Sequence, residues 1–194
     1  MSAAGRRAPQ GGFTLIEVLV TLVILLLGLL GLVGLQAKAQ VAETESYQRT
    51  QALVLLRDMA DRISANRTVA AADSYLTGTL PTSSPVSSLG TGSTQACPPA
   101  SPAATVAIDL CSWDAALKGA AETIGGNNVG AMLGARGCVT KIATNRFLVQ
   151  VVWQGLATTA APPASVTCGS GSYDTLDLTR RAVTTVVEIG TLDP

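Results

Sequence analysis

The sequence predicts an α+β protein: a long N-terminal helix, hydrophobic in its first half and amphipathic in its second, packed on a small antiparallel β-sheet head. Three observations carry this prediction. No proline interrupts the chain between Phe13 and Asn66, and Val18 to Ala37 carry no charge. Beyond that run Ala52, Leu53, Leu55, Leu56, Met59, Ala60 and Ile63 fall on one side at helical spacing. Towards the C-terminus the hydrophobic period changes from that of a helix to two, the period of a strand.

The first half of the helix reads as a membrane span. About 20 uncharged residues at ~1.5 Å each cross a hydrocarbon core of about 30 Å. Arg6 and Arg7 lie on the short N-terminal side, and the far side begins with Lys38 before Glu43 and Glu45. The charge bias therefore places the N-terminus in the cytoplasm and exports the rest. Gly28, Gly31 and Gly34 recur inside the span, where small residues let packed helices approach closely. The helix continues to about Asn66, a length of roughly 80 Å. Arg57 with Asp61 and Asp58 with Arg62 stand four apart on the polar face. They read as surface pairs of about 0.2–0.5 kcal/mol each, not as an acid–base site.

Glu17 is the exception to the apolar character of this region. A carboxylate in lipid costs about 2.5–3.5 kcal/mol on insertion scales, so it calls for a partner. In Gly12-Phe13-Thr14-Leu15-Ile16-Glu17 the glycine precedes the apolar run, whereas a secretory signal is cut after its apolar region. These residues closely resemble the cleavage and assembly signal of type IV prepilins and pseudopilins. The resemblance implies cleavage between Gly12 and Phe13 by a prepilin peptidase and N-methylation of Phe13. It also makes Glu17 the fifth residue of the mature chain, where it meets the N-terminal amine of a neighbouring subunit. A buried carboxylate is tolerable when paired, and cleavage creates the ammonium that pairs with it. The family usually has a basic residue directly before the glycine; here Ala8-Pro9-Gln10-Gly11 separates Arg7 from Gly12. The bland alternative is a signal anchor whose glutamate snorkels.

Composition narrows what the exported part can do. Only 13% of the chain is charged and its net charge is zero, so no broad basic surface points to nucleic acid. Histidine is absent, which removes the commonest general base, His-assisted nucleophiles and the commonest metal ligand. Neither a cofactor nor a metal is expected. The four cysteines Cys97, Cys111, Cys138 and Cys168 lie in the exported part and predict two disulfides. Three pairings are possible. Cys97 with Cys111 and Cys138 with Cys168 are favoured because each closes a local segment, for about 3 kcal/mol apiece on the chain-entropy model. The absence of C-x-x-C and the spacings argue against zinc.

Between Thr77 and Thr105 the chain is rich in Ser, Thr, Pro and Gly and reads as an exposed connector. Ser112 suits a helix cap and Asp114 a first turn, with Trp113, Leu117, Ala121 and Ile124 on one face and Gly125-Gly126-Asn127 ending the element. Phe147, Val149, Val151 and Trp153 alternate along a strand, Val183 to Ile189 form another with Glu188 facing solvent, and Thr105 to Leu110 a weaker one. Phe147 and Trp153 read as core anchors that meet the amphipathic helix.

Asp109-Leu110-Cys111-Ser112-Trp113, Gly134-Ala135-Arg136-Gly137-Cys138-Val139, Val151-Val152-Trp153-Gln154-Gly155 and Arg180-Arg181 together resemble PilV-type minor pilins. The organisation expected is a leader over 1–12, a transmembrane or filament-core helix over 13–37, its amphipathic continuation over 38–66, and an exported head over 67–194. The implied role is a low-abundance subunit acting in initiation or at the tip of a type IV pilus. Its implied partners are other minor and major pilins, the prepilin peptidase, the inner-membrane assembly platform and a tip adhesin. Before assembly it would sit in the bacterial inner membrane; afterwards in a pilus or a periplasmic pseudopilus. A type II secretion pseudopilin is the alternative within the class. From other classes come a head that binds DNA or a host surface through Arg136, Lys141, Arg146, Arg180 and Arg181, and an enzyme using an Asp174–Asp177 pair. For the aspartates, a turn after Gly169-Ser170-Gly171 is the simpler reading.

Overall fold

The computed structural model describes residues 11–77, 88–99, 101, 104–120 and 122–190. The expected leader as far as Gln10, with Arg6 and Arg7, lies outside these residues. So do Ala121 and much of the connector expected between Thr77 and Thr105.

Helix α1 runs Leu15–Ala65, and the chain divides into two compact units at Glu43 and Thr44. In the first unit every described residue is exposed, and α1 is long and apolar enough there to cross a membrane. In the second unit α1 buries Ala52, Leu56, Met59 and Ile63, the stripe expected from a one-sided helix. After Ala65 come the short helix α2 (Arg67–Ala71) and a turn at Asp73, whose φ is 62°.

That stripe packs on a four-stranded sheet of order β1-β4-β5-β6, built from β1 (Leu89–Gly90), β4 (Arg136–Ala143), β5 (Arg146–Gln154) and β6 (Arg180–Glu188). All of its pairings are antiparallel. Phe147, Val149, Val151 and Trp153 share one core with Met59 and Ile63. Alternation dictates that the neighbouring residues face the other way, yet Gln150 and Val152 are also buried. A second cluster of Cys138, Val152, Val166 and Cys168 accounts for this: the segment 155–179 covers the outer face of β5. Glu188 is exposed, with 69% of its side chain accessible.

One element differs from the sequence-based expectation. Helix α3 spans Thr105–Leu117, so Thr105 to Leu110 are its first half and not a strand, and Ser112 is interior rather than a cap. Asp114 lies in its last turn. The reason is that Val106, Leu110, Trp113 and Leu117 form one helical stripe, and all pack in the main core. Over only six residues the alternation of Val106, Ile108 and Leu110 with Ala107 and Asp109 does not separate a period of two from one of 3.6. Ile124 is also not helical. It belongs to a small hairpin, β2 (Thr123–Ile124) with β3 (Asn127–Asn128), turned by Gly125 and Gly126 at φ 58° and 83°. Two consecutive positive φ values are what a tight hairpin turn demands.

The Trp113 ring lies directly over the backbone of β4. A Cβ at Gly137 would stand 2.6 Å from Trp113 Cζ3 and 2.7 Å from Leu117 Cδ1. The Trp113 indole N–H donates to the Leu55 carbonyl at 2.9 Å, which ties α3 to α1. Asp114, buried, accepts the Gly90 N–H at 2.7 Å and pairs with Lys118 at 2.6 Å, which positions the short β1.

Candidate functional site

The N-terminal segment is built by its own capping chemistry. Thr14 precedes the first helical residue, and its hydroxyl accepts the Glu17 N–H at 3.4 Å while its carbonyl accepts the N–H groups of Glu17 and Val18 at 3.1 and 3.3 Å. Thr-x-x-Glu is the capping-box spacing, so Glu17 stands in the first turn, where the helix dipole favours negative charge. The Gly12–Phe13 bond lies outside the helix, Gly12 has nothing within 4 Å of a Cβ position, and Phe13 is 84% exposed. Gly28, Gly31 and Gly34 likewise face open space.

Residues 7–33 match the family described as Prokaryotic N-terminal methylation motif, and residues 34–116 match that described as Type IV pilin Tt1218. The chain belongs to the type IV pilin-like family. No curated protein and no solved structure matches it. The two matches run consecutively through the helix and end within α3 of this pilin, so β4 to β6 lie beyond them. They fit a pilin subunit anchored in a membrane before assembly, associated with other pilins and the pilus machinery. The family is one of structural subunits.

The head of the pilin carries two disulfides. Cys97 is bonded to Cys111 and Cys138 to Cys168, with Cα–Cα distances of 5.3 and 5.8 Å. Among the described residues no group of three or more His, Cys, Asp or Glu side chains could hold a metal.

The five basic residues read as contacts to DNA or a surface do not form a bare cationic face. Arg180 is 3% exposed, pairs with Asp177 at 3.1 Å and donates to the carbonyls of Val166 and Cys168 at 2.8 and 3.0 Å. Arg181 pairs with Glu45 at 3.1 Å, Lys141 with Asp73 at 2.7 Å and Arg146 with Glu188 at 3.4 Å. Arg136 donates to the Thr91 carbonyl at 2.7 Å. Each of the five therefore has a partner within the second unit.

Asp174 and Asp177 are also spent on structure. Asp174 accepts the Thr179 hydroxyl at 2.5 Å and the N–H groups of Thr179, Leu178 and Leu176 at 2.8, 3.0 and 3.0 Å. The Thr179 bonds, hydroxyl first, hold its carboxyl down at about 2. Asp177 accepts the Ser170 hydroxyl and the Gly171 N–H, both at 2.9 Å, beside its pairing with Arg180. Because the Asp174 pKa is depressed from an unfolded value of about 3.9, its contribution to stability is full above about pH 4. It is lost as pH falls through about 2. Asp174→Asn is expected to flatten the decline of Tm between about pH 4 and pH 2; an unchanged acid limb would remove the role.

Sequence reasoning missed a polar cluster that joins α1 to α3. Arg62 pairs with Asp58 at 3.0 Å, as its spacing implied, but also with Asp109 at 2.9 Å. Among the described residues no ion pair joins Arg57 to Asp61. The buried Tyr75 hydroxyl donates to Asp109 at 2.5 Å, and the Asn66 amide donates to Tyr75 at 2.7 Å and to Asp109 at 3.2 Å. Burial first, then the bond to Asp109, push the Tyr75 phenol up to about 12. Arg62 is raised as well: burial, the largest influence, acts downward, and the bonds to Asp58 and Asp109 outweigh it. Reading Asp109 as part of a helix would have placed it one turn before Trp113, facing α1.

Proposed function

We propose that this chain is a minor pilin of a type IV pilus, processed between Gly12 and Phe13 by a prepilin peptidase and N-methylated at Phe13. In this reading residues 1–12 are removed and 13–37 anchor the subunit in the inner membrane with the N-terminus cytoplasmic. Residues 38–66 continue the helix, and 67–194 form the exported head. After cleavage the Phe13 amine of a neighbouring subunit meets Glu17, and the helix leaves lipid for the filament core. The chain acts as a subunit in initiation or at the tip, with other minor and major pilins, the assembly platform and a tip adhesin, and performs no catalysis of its own.

The observation that carries the reading is the position of Glu17: a carboxylate in the first turn of a helix that carries no other charge as far as Ala37 and is exposed throughout its first unit. Such a charge is unfavourable in lipid and favourable beside an ammonium. Cleavage makes that ammonium four residues upstream, and a helical neighbour offset along the axis can supply it. The family's methylation motif over residues 7–33 supports the same chemistry.

Glu17→Ala is expected to leave the membrane pool intact and lower the amount of the protein in sheared filaments by at least about tenfold, because removing one partner of a buried ion pair costs about 3–5 kcal/mol and tenfold needs only ~1.4 kcal/mol. Normal incorporation would refute the pairing. The N-terminal peptide from native membranes should begin at a methylated Phe13. A chain that still carries Arg6 and Arg7 would refute the processing. Loss of surface pili on deletion, with protein secretion unchanged, separates the pilus from a secretion pseudopilus.

A further inference from the structure

The two disulfides present different sulfurs to a thiol in solution. Cys138 and Cys168 are both 0% exposed, enclosed between the sheet and the segment 155–179. The Cys168 N–H donates to Gln150 Oε1 at 3.4 Å, and its carbonyl accepts from Arg180. Cys97, by contrast, is exposed in an irregular stretch, and its partner Cys111, 5% exposed, lies on α3.

Among the described residues the stretch around Cys97 has few long-range bonds. Lys118 binds the Ser93 carbonyl at 2.8 Å, and past Ser93 the hydrogen bonds among the described residues are local: Gln95 N–H to the Ser93 hydroxyl and the Gln95 amide to the Ala96 carbonyl. Helix α3 does not depend on the bridge in the same way. Asp109, Trp113 and Asp114 tie it to Arg62, Leu55 and Gly90.

We propose that Cys97–Cys111 is a thiol–disulfide exchange site for a dithiol partner in the exported compartment, and that its opening loosens residues 94–99 while leaving the sheet and helix core intact. The partner's thiolate attacks the Cys97 sulfur, the Cys97–Cys111 bond breaks, and Cys111 leaves as a thiolate that takes a proton from water. The partner's second thiol then displaces the mixed disulfide, frees the Cys97 thiol and leaves the partner oxidised. Two electrons pass from the dithiol to the bridge, and the reverse reaction closes it.

The test uses the full chain in detergent micelles, treated separately with reduced glutathione and with dithiothreitol, quenched with iodoacetamide and mapped by peptide mass. The expected result is a glutathione adduct on Cys97, with Cys97 and Cys111 alkylated at least about tenfold faster than Cys138 and Cys168. Adduct on Cys111 alone, or equal rates for the two bridges, would overturn the assignment. The double variant Cys97→Ser with Cys111→Ser should gain protease cuts within 94–99 and keep the near-ultraviolet circular dichroism of the tryptophans. Collapse of that signal would show the bridge to be a requirement of the fold.

Discussion

Gly137→Val is expected to destabilise the head by about 3 kcal/mol or more, the upper range for overpacking a close-packed core. Position 137 sits in β4 beneath the Trp113 ring, and any Cβ there overlaps both that ring and the Leu117 methyl. Neither can retreat freely: both are buried, and the indole N–H is held by the Leu55 carbonyl. The chain's two tryptophans, Trp113 and Trp153, both lie in the main core, so their fluorescence reports its unfolding directly. Denaturant titration of the full chain in detergent should show the midpoint falling. Adding Trp113→Leu should return part of the loss, because a smaller side chain gives back the space; the double variant is then less destabilised than the sum of the two. Strict additivity would mean that the ring is not the obstacle.

Arg180→Met is expected to cost about 3–5 kcal/mol, the usual loss when one partner of a buried ion pair is removed. The substitution leaves the Asp177 carboxylate, 13% exposed, without its cation, and leaves the Val166 and Cys168 carbonyls without a donor. Those partners all belong to the segment 155–179 on the outer face of β5. Hydrogen exchange should therefore speed up in that segment more than along α1 and the β5 residues facing it. Equal loss of protection everywhere would show that Arg180 does not act locally. Arg180→Lys should recover the charge but not the forked set of bonds, and so restore only part of the stability.

What could be read in the sequence was whatever a single local rule decides. The apolar run before Lys38, the place of Gly12 ahead of it and the alternation from Phe147 to Trp153 are each settled within a few neighbours. Where the outcome depended on distant partners, the sequence was silent. Thr105 to Leu110 alternates well enough for a strand, and only the seat that Trp113 finds between Leu55 and Gly137 makes it helix. Nothing local reveals that 155–179 folds over Gln150 and Val152. Arg180 and Arg181 read as free cations for the same reason: Asp177 is near in sequence, but the Val166 and Cys168 carbonyls and Glu45 are not. A strand over Thr105 to Leu110 also hides the place of Asp109 between Arg62 and Tyr75.

The two-sided burial of β5 has a practical consequence for handling this pilin. One side of the strand answers to the helix, so a change there reaches Met59 and Ile63 on α1. The other side faces 155–179, which is held at Leu156 and Ala157 by Glu45, at Val166 and Cys168 by Arg180, and from Asp174 to Thr179 by its own bonds. Between the first two of these anchors Ala160 and Ala161 are exposed and lie outside any helix or strand, ahead of Pro162. A fluorophore or short epitope inserted there would travel with the subunit as a passenger, visible from outside and absent from the packing that the helix requires.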